Sequence, residues 1–233
     1  SSNPEQKRTF LNKTLFYVEQ SEFKRLNDLK KIITQRAGCL KNKDFNQLKY
    51  WDEQLINIEP EISLLNIEVC KNINGLLKKS EIIDCFVNKN PWLEDISVKY
   101  QHGFNENEQF STILTNNLEK DMVLKRTNAG PHKRSFEILL ENKSSDEVLS
   151  RGQQKIISII LHLIQREIIR SHTDMEPILL MDDISSELDK ENANLMLKYL
   201  IDKRVQTIMT SIEKSHFEDH KDVFLFHVEH KGE

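Results

Sequence analysis

The sequence predicts an α/β protein, with a helical arm built around a coiled-coil-like hairpin followed by a mostly parallel sheet flanked by helices. Three observations carry this prediction. Only six glycines and five prolines punctuate 233 residues, so long helices are expected. Leu48, Leu55, Ile62, Val69 and Leu76 recur at seven-residue spacing, the seam of helices packed side by side. Towards the C-terminus, short apolar runs alternate with helical stretches, which is how strands buried on both faces of a parallel sheet read.

In chain order, residues 20–37 read as an amphipathic helix with Phe23, Leu26, Leu29 and Ile33 at helical spacing, and "AGCL" at 37–40 is expected to break it. The next helix spans about 44–80, with Trp51, Ile58 and Leu65 filling positions between the heptad residues. Pro60 lies inside it, where a proline costs about 3 kcal/mol, so a kink or a restart is expected there. Charge along this arm is segregated. Residues 21–50 hold eight Lys/Arg against three acids, and residues 51–70 hold five acids and no Lys or Arg. Two solvated faces paired across a hairpin account for this, and a basic stripe along a phosphate backbone is the sharper alternative.

After "NKNPW" (88–92) the texture changes, which divides the chain into an arm, 1–91, and a second unit, 92–233. Ile96, Val98 and Tyr100 alternate with polar residues as in a strand. Residues 106–123 read as a helix, "SFEILLEN" (135–142) as a strand and 153–170 as a long apolar helix. A strand ending at Met181, a helix over 189–202, and strands "VQTIMT" and "VFLFHV" close the chain.

Composition narrows the function classes. Charged residues make up 30% and the net charge is −4, so any contact with nucleic acid must come from a local patch. The longest apolar run, 156–164, is too short to span a bilayer, and the N-terminus has no apolar signal region. Cys39, Cys70 and Cys85 form no CxxC pattern and read as reduced, packed thiols of a cytoplasmic protein. His216 and His220 stand four apart with no third ligand nearby, so a solvated pair is expected rather than a zinc site.

The chemistry concentrates in "PILLMDDISSELDKE" (177–191) and "VLSRGQQK" (148–155). An apolar run ending in Asp182 and Asp183 puts two like charges at a strand end, where α/β proteins place ligand-binding groups. Adjacent carboxylates repel unless a metal or a proton intervenes, and solvated acids at a strand end are the plainer reading. Upstream, Ser150 followed by Gln153 is a capping box that marks a helix start. Gly152 leaves room for an anion near the free amides, and Arg151 and Lys155 add positive charge.

Together "LSRGQQK", the paired aspartates and "SSELD" resemble the C-terminal half of an ABC-type ATPase head. The order of "NPEQKRTFLNKTLFYVE", "WDEQL", "GPHKRSFEI", "LSRGQQK" and "DDISSELD" is similar to the RecF family over nearly the whole chain. That resemblance implies ATP and Mg²⁺, with Asp182 on the metal side and Asp183 in the catalytic carboxylate position. An Asp where relatives of this class usually carry Glu is one methylene shorter, which fits a slow switch. Ser150, Arg151, Gly152 and Gln153 would face the γ-phosphate held by a partner subunit of an ATP-dependent homodimer. Ser186 to Asp189 would form the turn crossing that interface.

The resemblance also implies DNA repair, in which the protein closes over single-strand/double-strand junctions and helps load RecA with RecO and RecR. Lys125, Arg126, Lys133 and Arg134 lie in a stretch with four Lys/Arg and no acid, open to a phosphate contact or to plain solvation. One part of the family pattern is missing. The glycines, at 38, 75, 103, 130, 152 and 232, allow no GxxxxGK[ST] loop. The chain is therefore expected to be a fragment that neither binds ATP tightly nor hydrolyses it. A module docking RecR without nucleotide chemistry, and another ABC-type ATPase, are the alternatives.

Overall fold

The computed structural model describes residues 3–19, 23–212, 217 and 223–226. Helix α1 (Pro4–Val18) starts at Asn3, whose side chain accepts from the Glu5 amide, with proline at the first helical position where no donor is lost. Helix α2 (Phe23–Asn42) runs straight through "AGCL" rather than ending there. A helical glycine costs about 1 kcal/mol. The next turn buries Cys39 and Leu40 against Leu48, with Trp51, Leu118 and Met122 packed around them, and burying such side chains outweighs that cost.

Helix α3 (Phe45–Lys78) is capped by Asp44 and continues unbroken past Pro60. The expected restart does not occur, because Leu55 and Ile62 on either side are fully buried and hold the helix against α2 and α5. The heptad residues Leu48, Leu55, Ile62 and Val69 line the buried seam. Helix α4 (Glu81–Phe86) and a 3₁₀ turn (Pro91–Asp95) then lead into β1 (Ile96–Gln101). Helix α5 (Phe110–Leu124), a second 3₁₀ turn (Pro131–Lys133), β2 (Ser135–Leu140) and β3 (Lys143–Ser144) follow. After the short α6 (Ser145–Val148) come α7 (Arg151–His172), β4 (Leu179–Met181), α8 (Ile184–Glu187), α9 (Lys190–Asp202) and β5 (Thr207–Met209).

The α/β class stands, but the sheet is not mostly parallel among the described residues. Strands β1, β2 and β3 form an antiparallel sheet, with Val98 opposite Ile138 and Tyr100 opposite Phe136. Among the described residues only β4 and β5 pair in parallel. The period-two alternation of 96–101 already carried this signal, since a strand solvated on one face belongs to an antiparallel sheet. Nor are the apolar strands buried on both faces. Leu179, Met181 and Met209 pack on the core, while Leu180 and Ile208 point away and are 73% and 60% exposed.

The expected strand "VFLFHV" does not form over 223–226, where Phe224 and Phe226 are each 90% exposed and no ladder among the described residues templates them. Its last two residues, like His216 and His220, lie outside the described residues. One core runs through α1, the C-terminal half of α3, α4, β1, β2, α7 and α9, crossing the boundary expected at residue 91. It places α7 at the centre, with the start of that helix beside the end of β4.

Candidate functional site

The start of α7 is built as its sequence requires. Ser150 Oγ accepts from the Gln153 amide at 3.3 Å, and the Ser150 amide donates to Gln153 Oε1 at 2.9 Å, which completes the capping box. Arg151 and Gly152 are exposed there, and the position a Gly152 Cβ would fill is open. The amides of this first turn face outward beside a positive helix end, a setting suited to an anion.

Asp182 and Asp183 follow β4 directly, and Thr210, just past β5, ties them down. Thr210 Oγ1 donates to Asp182 Oδ1 at 2.5 Å and accepts from the Asp183 amide at 2.8 Å. The Thr210 amide donates to the Met181 carbonyl at 3.0 Å, and the Ile184 amide to the Thr210 carbonyl at 3.1 Å. Asp183 takes a left-handed conformation, φ 46°, which aspartate tolerates better than most residues. Backbone strain of this kind concentrates where a side chain has to be aimed. The turn then closes with Ser186 donating through Oγ to the Asp183 carbonyl at 3.0 Å.

Lys155 joins the two motifs. Its Nζ donates to the Ser186 carbonyl at 2.5 Å and lies 3.5 Å from Glu187, so the signature-like helix start and the turn after the aspartates form one surface. Asp189 caps α9 through the Asn192 amide at 2.9 Å and pairs with Lys89 at 2.8 Å. Burial opposes its ionisation, but the Lys89 and Asn192 hydrogen bonds win and bring its carboxyl down to about 2. Asn90 adds a buried bond to Asn192 Oδ1 at 2.8 Å. The turn is thereby fixed to the "NKN" segment that ends the arm.

Among the described residues no three His, Cys, Asp or Glu side chains cluster to hold a metal. The chain offers adjacent carboxylates instead. That donor set fits Mg²⁺, which keeps most of its waters and takes one or two carboxylates together with phosphate oxygens.

Four basic residues were candidates for contact with DNA, and the structure divides them. Lys125, Arg126 and Lys133 are exposed. Arg134 is only 4% exposed and donates to the Pro131 carbonyl at 3.0 Å and to Asn12 Oδ1, so its guanidinium faces inward and cannot reach a phosphate.

Sequence reasoning passed over Thr210, Lys89 and Arg36. Arg36 is fully buried, donating to Asp52 at 2.6 Å, Asp121 at 2.6 Å and Thr127 at 2.9 Å. It locks α2, α3, α5 and the loop before β2 together. Gly103 was noted only for the missing phosphate loop. With φ +83° it receives a 3.1 Å bond from the Gly130 amide, and a Cβ there would stand 2.5 Å from the Gly130 carbonyl.

A family model for the RecF/RecN/SMC N terminal domain matches residues 11–233. The chain is 28% identical over 235 residues to the DNA replication and repair protein RecF of Pseudoalteromonas translucida (strain TAC 125), covering 97% of this chain and 63% of that protein. It is 29% identical over 230 residues to the RecF of Shewanella amazonensis (strain ATCC BAA-1098 / SB2B), covering 97% and 62%. The chain thus spans a little over three-fifths of these curated relatives. Two solved structures share the fold. A recombination mediator protein RecF-ATPrS in the RecFOR pathway gives a TM-score of 0.74 at 23% identity, over 92% of this chain and 59% of that one. The corresponding RecF-ATP structure gives 0.71 at 22%, over 93% and 60%.

Proposed function

The chain belongs to the RecF/RecN/SMC N terminal domain family, and from that premise we propose that it serves a RecF-like mediator of DNA repair in the cytoplasm. In this reading an ATP-dependent homodimer closes on DNA where single strand meets duplex, and acts with RecO and RecR to help load RecA. The single observation that carries the reading is the Lys155 bridge, which sets the α7 start and the turn after Asp182 and Asp183 side by side.

Each residue then has a task. Asp182, held by Thr210, would sit beside Mg²⁺. Asp183, aimed by its left-handed backbone, would accept a proton from water at its carboxylate. The first turn of α7, with Ser150, Arg151, Gly152 and Gln153, would bind phosphate oxygens presented by a second subunit. Ser186 and Asp189 would meet that subunit across the turn, and Lys125, Arg126 and Lys133 would contact DNA. Bound Mg²⁺–ATP supplies the negative charge on which the two subunits close.

Two measurements test this. Binding of gapped duplex by the protein as its gene encodes it should rise with ATP, and nucleotide-independent binding overturns the switch. The 233-residue chain, with no GxxxxGK[ST] loop, should show no ATP turnover. Mg²⁺-dependent turnover that Asp182→Asn abolishes would overturn that expectation. The missing loop also favours a second reading for this chain, a module that docks RecR without nucleotide chemistry. Capture of purified RecR by residues 1–233 is its test.

A further inference from the structure

Removing Arg134 from the surface leaves a question about the loop before β2. Its remaining cations do not stand alone. Arg134 reaches across to Asn12 of α1, so the α1 face carrying Asn12 and, one turn earlier, Arg8 lies against residues 131–134. From the other side, the Arg126 amide donates to the Asp121 carbonyl at 3.2 Å, which holds the loop on the end of α5 beside Lys120.

We propose that Arg8, Lys120, Lys125, Arg126 and Lys133 form one phosphodiester-binding surface, assembled from α1, the end of α5 and the loop before β2, that takes the backbone of a nucleic acid. It rests on the DNA-repair reading above and extends it to a site that includes two residues outside the loop.

Charge accounting supports it. Of the two acids flanking Lys120, Glu119 is exposed and Asp121 is fully buried, with Oδ2 held by Arg36 and Oδ1 by the Asn128 amide and side chain at 2.9 and 2.8 Å. The Asp121 charge is spent inward, which leaves the cations in the majority on the outward side. Partial burial first, and then Arg126, Lys120 and Arg8, hold the Lys133 ammonium below its ordinary range; Asp121 opposes this without reversing it. Cations grouped in this way attract an anion, and a phosphate backbone supplies a row of them.

The platform is also rigid. Gly103 and Gly130 bond backbone to backbone beneath the loop, and Arg36 ties Thr127 to the arm. Lys125 itself sits at the C-cap of α5 with φ 54°, a left-handed conformation that favours glycine, so a cation is kept where the backbone disfavours a side chain. A protein of net charge −4 gains no general affinity for nucleic acid, which makes a local patch decisive.

The test is the salt dependence of binding to a labelled duplex, read by fluorescence anisotropy. Replacing Arg8, Lys120, Arg126 and Lys133 by Gln together should lower the slope of log K against log salt by about 3 to 4, close to 0.9 per lost phosphate contact. A matched set on α2, with Lys24, Lys30, Lys31 and Lys41 replaced by Gln, should leave the slope unchanged. All eight positions are exposed or only part-buried, and a thermal midpoint close to the parent's is the check that both variants fold.

An unchanged slope in the first variant overturns the proposal, as does an equal loss in the second. Absence of duplex binding by the unmodified chain at low salt overturns it too. Competition by poly-glutamate as strong as by DNA at matched charge reassigns the surface to an acidic protein partner. ATP-responsive binding by the protein as its gene encodes it that survives the same four substitutions leaves the mediator reading standing and removes this site alone.

Discussion

Arg36 and Asp121 stand 85 residues apart in sequence and meet with both side chains wholly out of water. Taking one partner away strands the other as an uncompensated buried charge, which costs about 3–5 kcal/mol, whereas replacing both by apolar residues of similar size costs far less. Arg36→Met should therefore lower stability by about 3–5 kcal/mol in urea unfolding, and Arg36→Met with Asp121→Leu should recover much of it. Equal losses in the two variants would show that packing, not charge, governs the site. His132 beside them adds a pH term. Burial lowers its imidazole to about 4, with Lys133, Arg36 and Arg8 adding to the effect, although the Thr127 carbonyl accepts from Nε2 at 3.1 Å and opposes it. A base with a depressed folded pKa is protonated first in the unfolded chain, so its contribution is complete above about 6.5 and is lost as pH falls towards 4. The expected loss, of order 3 kcal/mol, should largely vanish in His132→Gln when stability is compared at pH 7 and pH 4.5.

At the scale of elements, α3 offers the sharpest test of local propensity against packing. Pro60 is exposed and interrupts no part of the buried seam, so its cost to the helix is not repaid by any contact of its own ring in the core. Pro60→Ala restores a backbone donor and a better helix former, and should stabilise the protein by about 1–3 kcal/mol in chemical unfolding. A loss of stability would mean that a bend at this position is needed by the α2–α3 packing. The same helix shows what the sequence could reveal. Its heptad seam and the capping box at Ser150 are local patterns with fixed spacing, and both appear in place. The termination expected at Gly38 failed because tertiary burial of Cys39 and Leu40 overrides a weak local preference. The aspartate pair was plain from its composition, but Thr210, which orients it, lies 28 residues from Asp182 and follows another strand. Arg134 was read as a surface cation because nothing in a basic run marks which member turns inward to Asn12, 122 residues away. Pairings across such distances follow from the fold and have no local signature.

For the whole molecule, the unresolved tension is the outer face of the β4–β5 pair. Ile178, Leu180 and Ile208 are 51%, 73% and 60% exposed, and Ile212, Phe224 and Phe226 add more apolar surface at 85%, 90% and 90%. Scattered single apolar residues need no explanation, but Leu180 and Ile208 are register partners on one face, and a paired apolar face of this kind favours association. No helix of the described residues is long and apolar enough to cross a membrane, so a bilayer core is not reached by a span of these helices. Burying one such side chain is worth about 1.5–3 kcal/mol, and a face shared between two copies counts every residue twice. The chain by itself should therefore self-associate through this face, with a sedimentation coefficient that rises with protein concentration. Leu180→Lys with Ile208→Lys places two charges on outward-pointing positions of paired strands, where neither side chain contributes to the core. That variant should sediment as a monomer across the same range while its thermal midpoint stays within a few degrees of the parent. Concentration-dependent sedimentation that persists in the variant would assign association to another surface, and a collapse of the thermal midpoint would show that Leu180 and Ile208 are needed to hold the sheet rather than to join two of them.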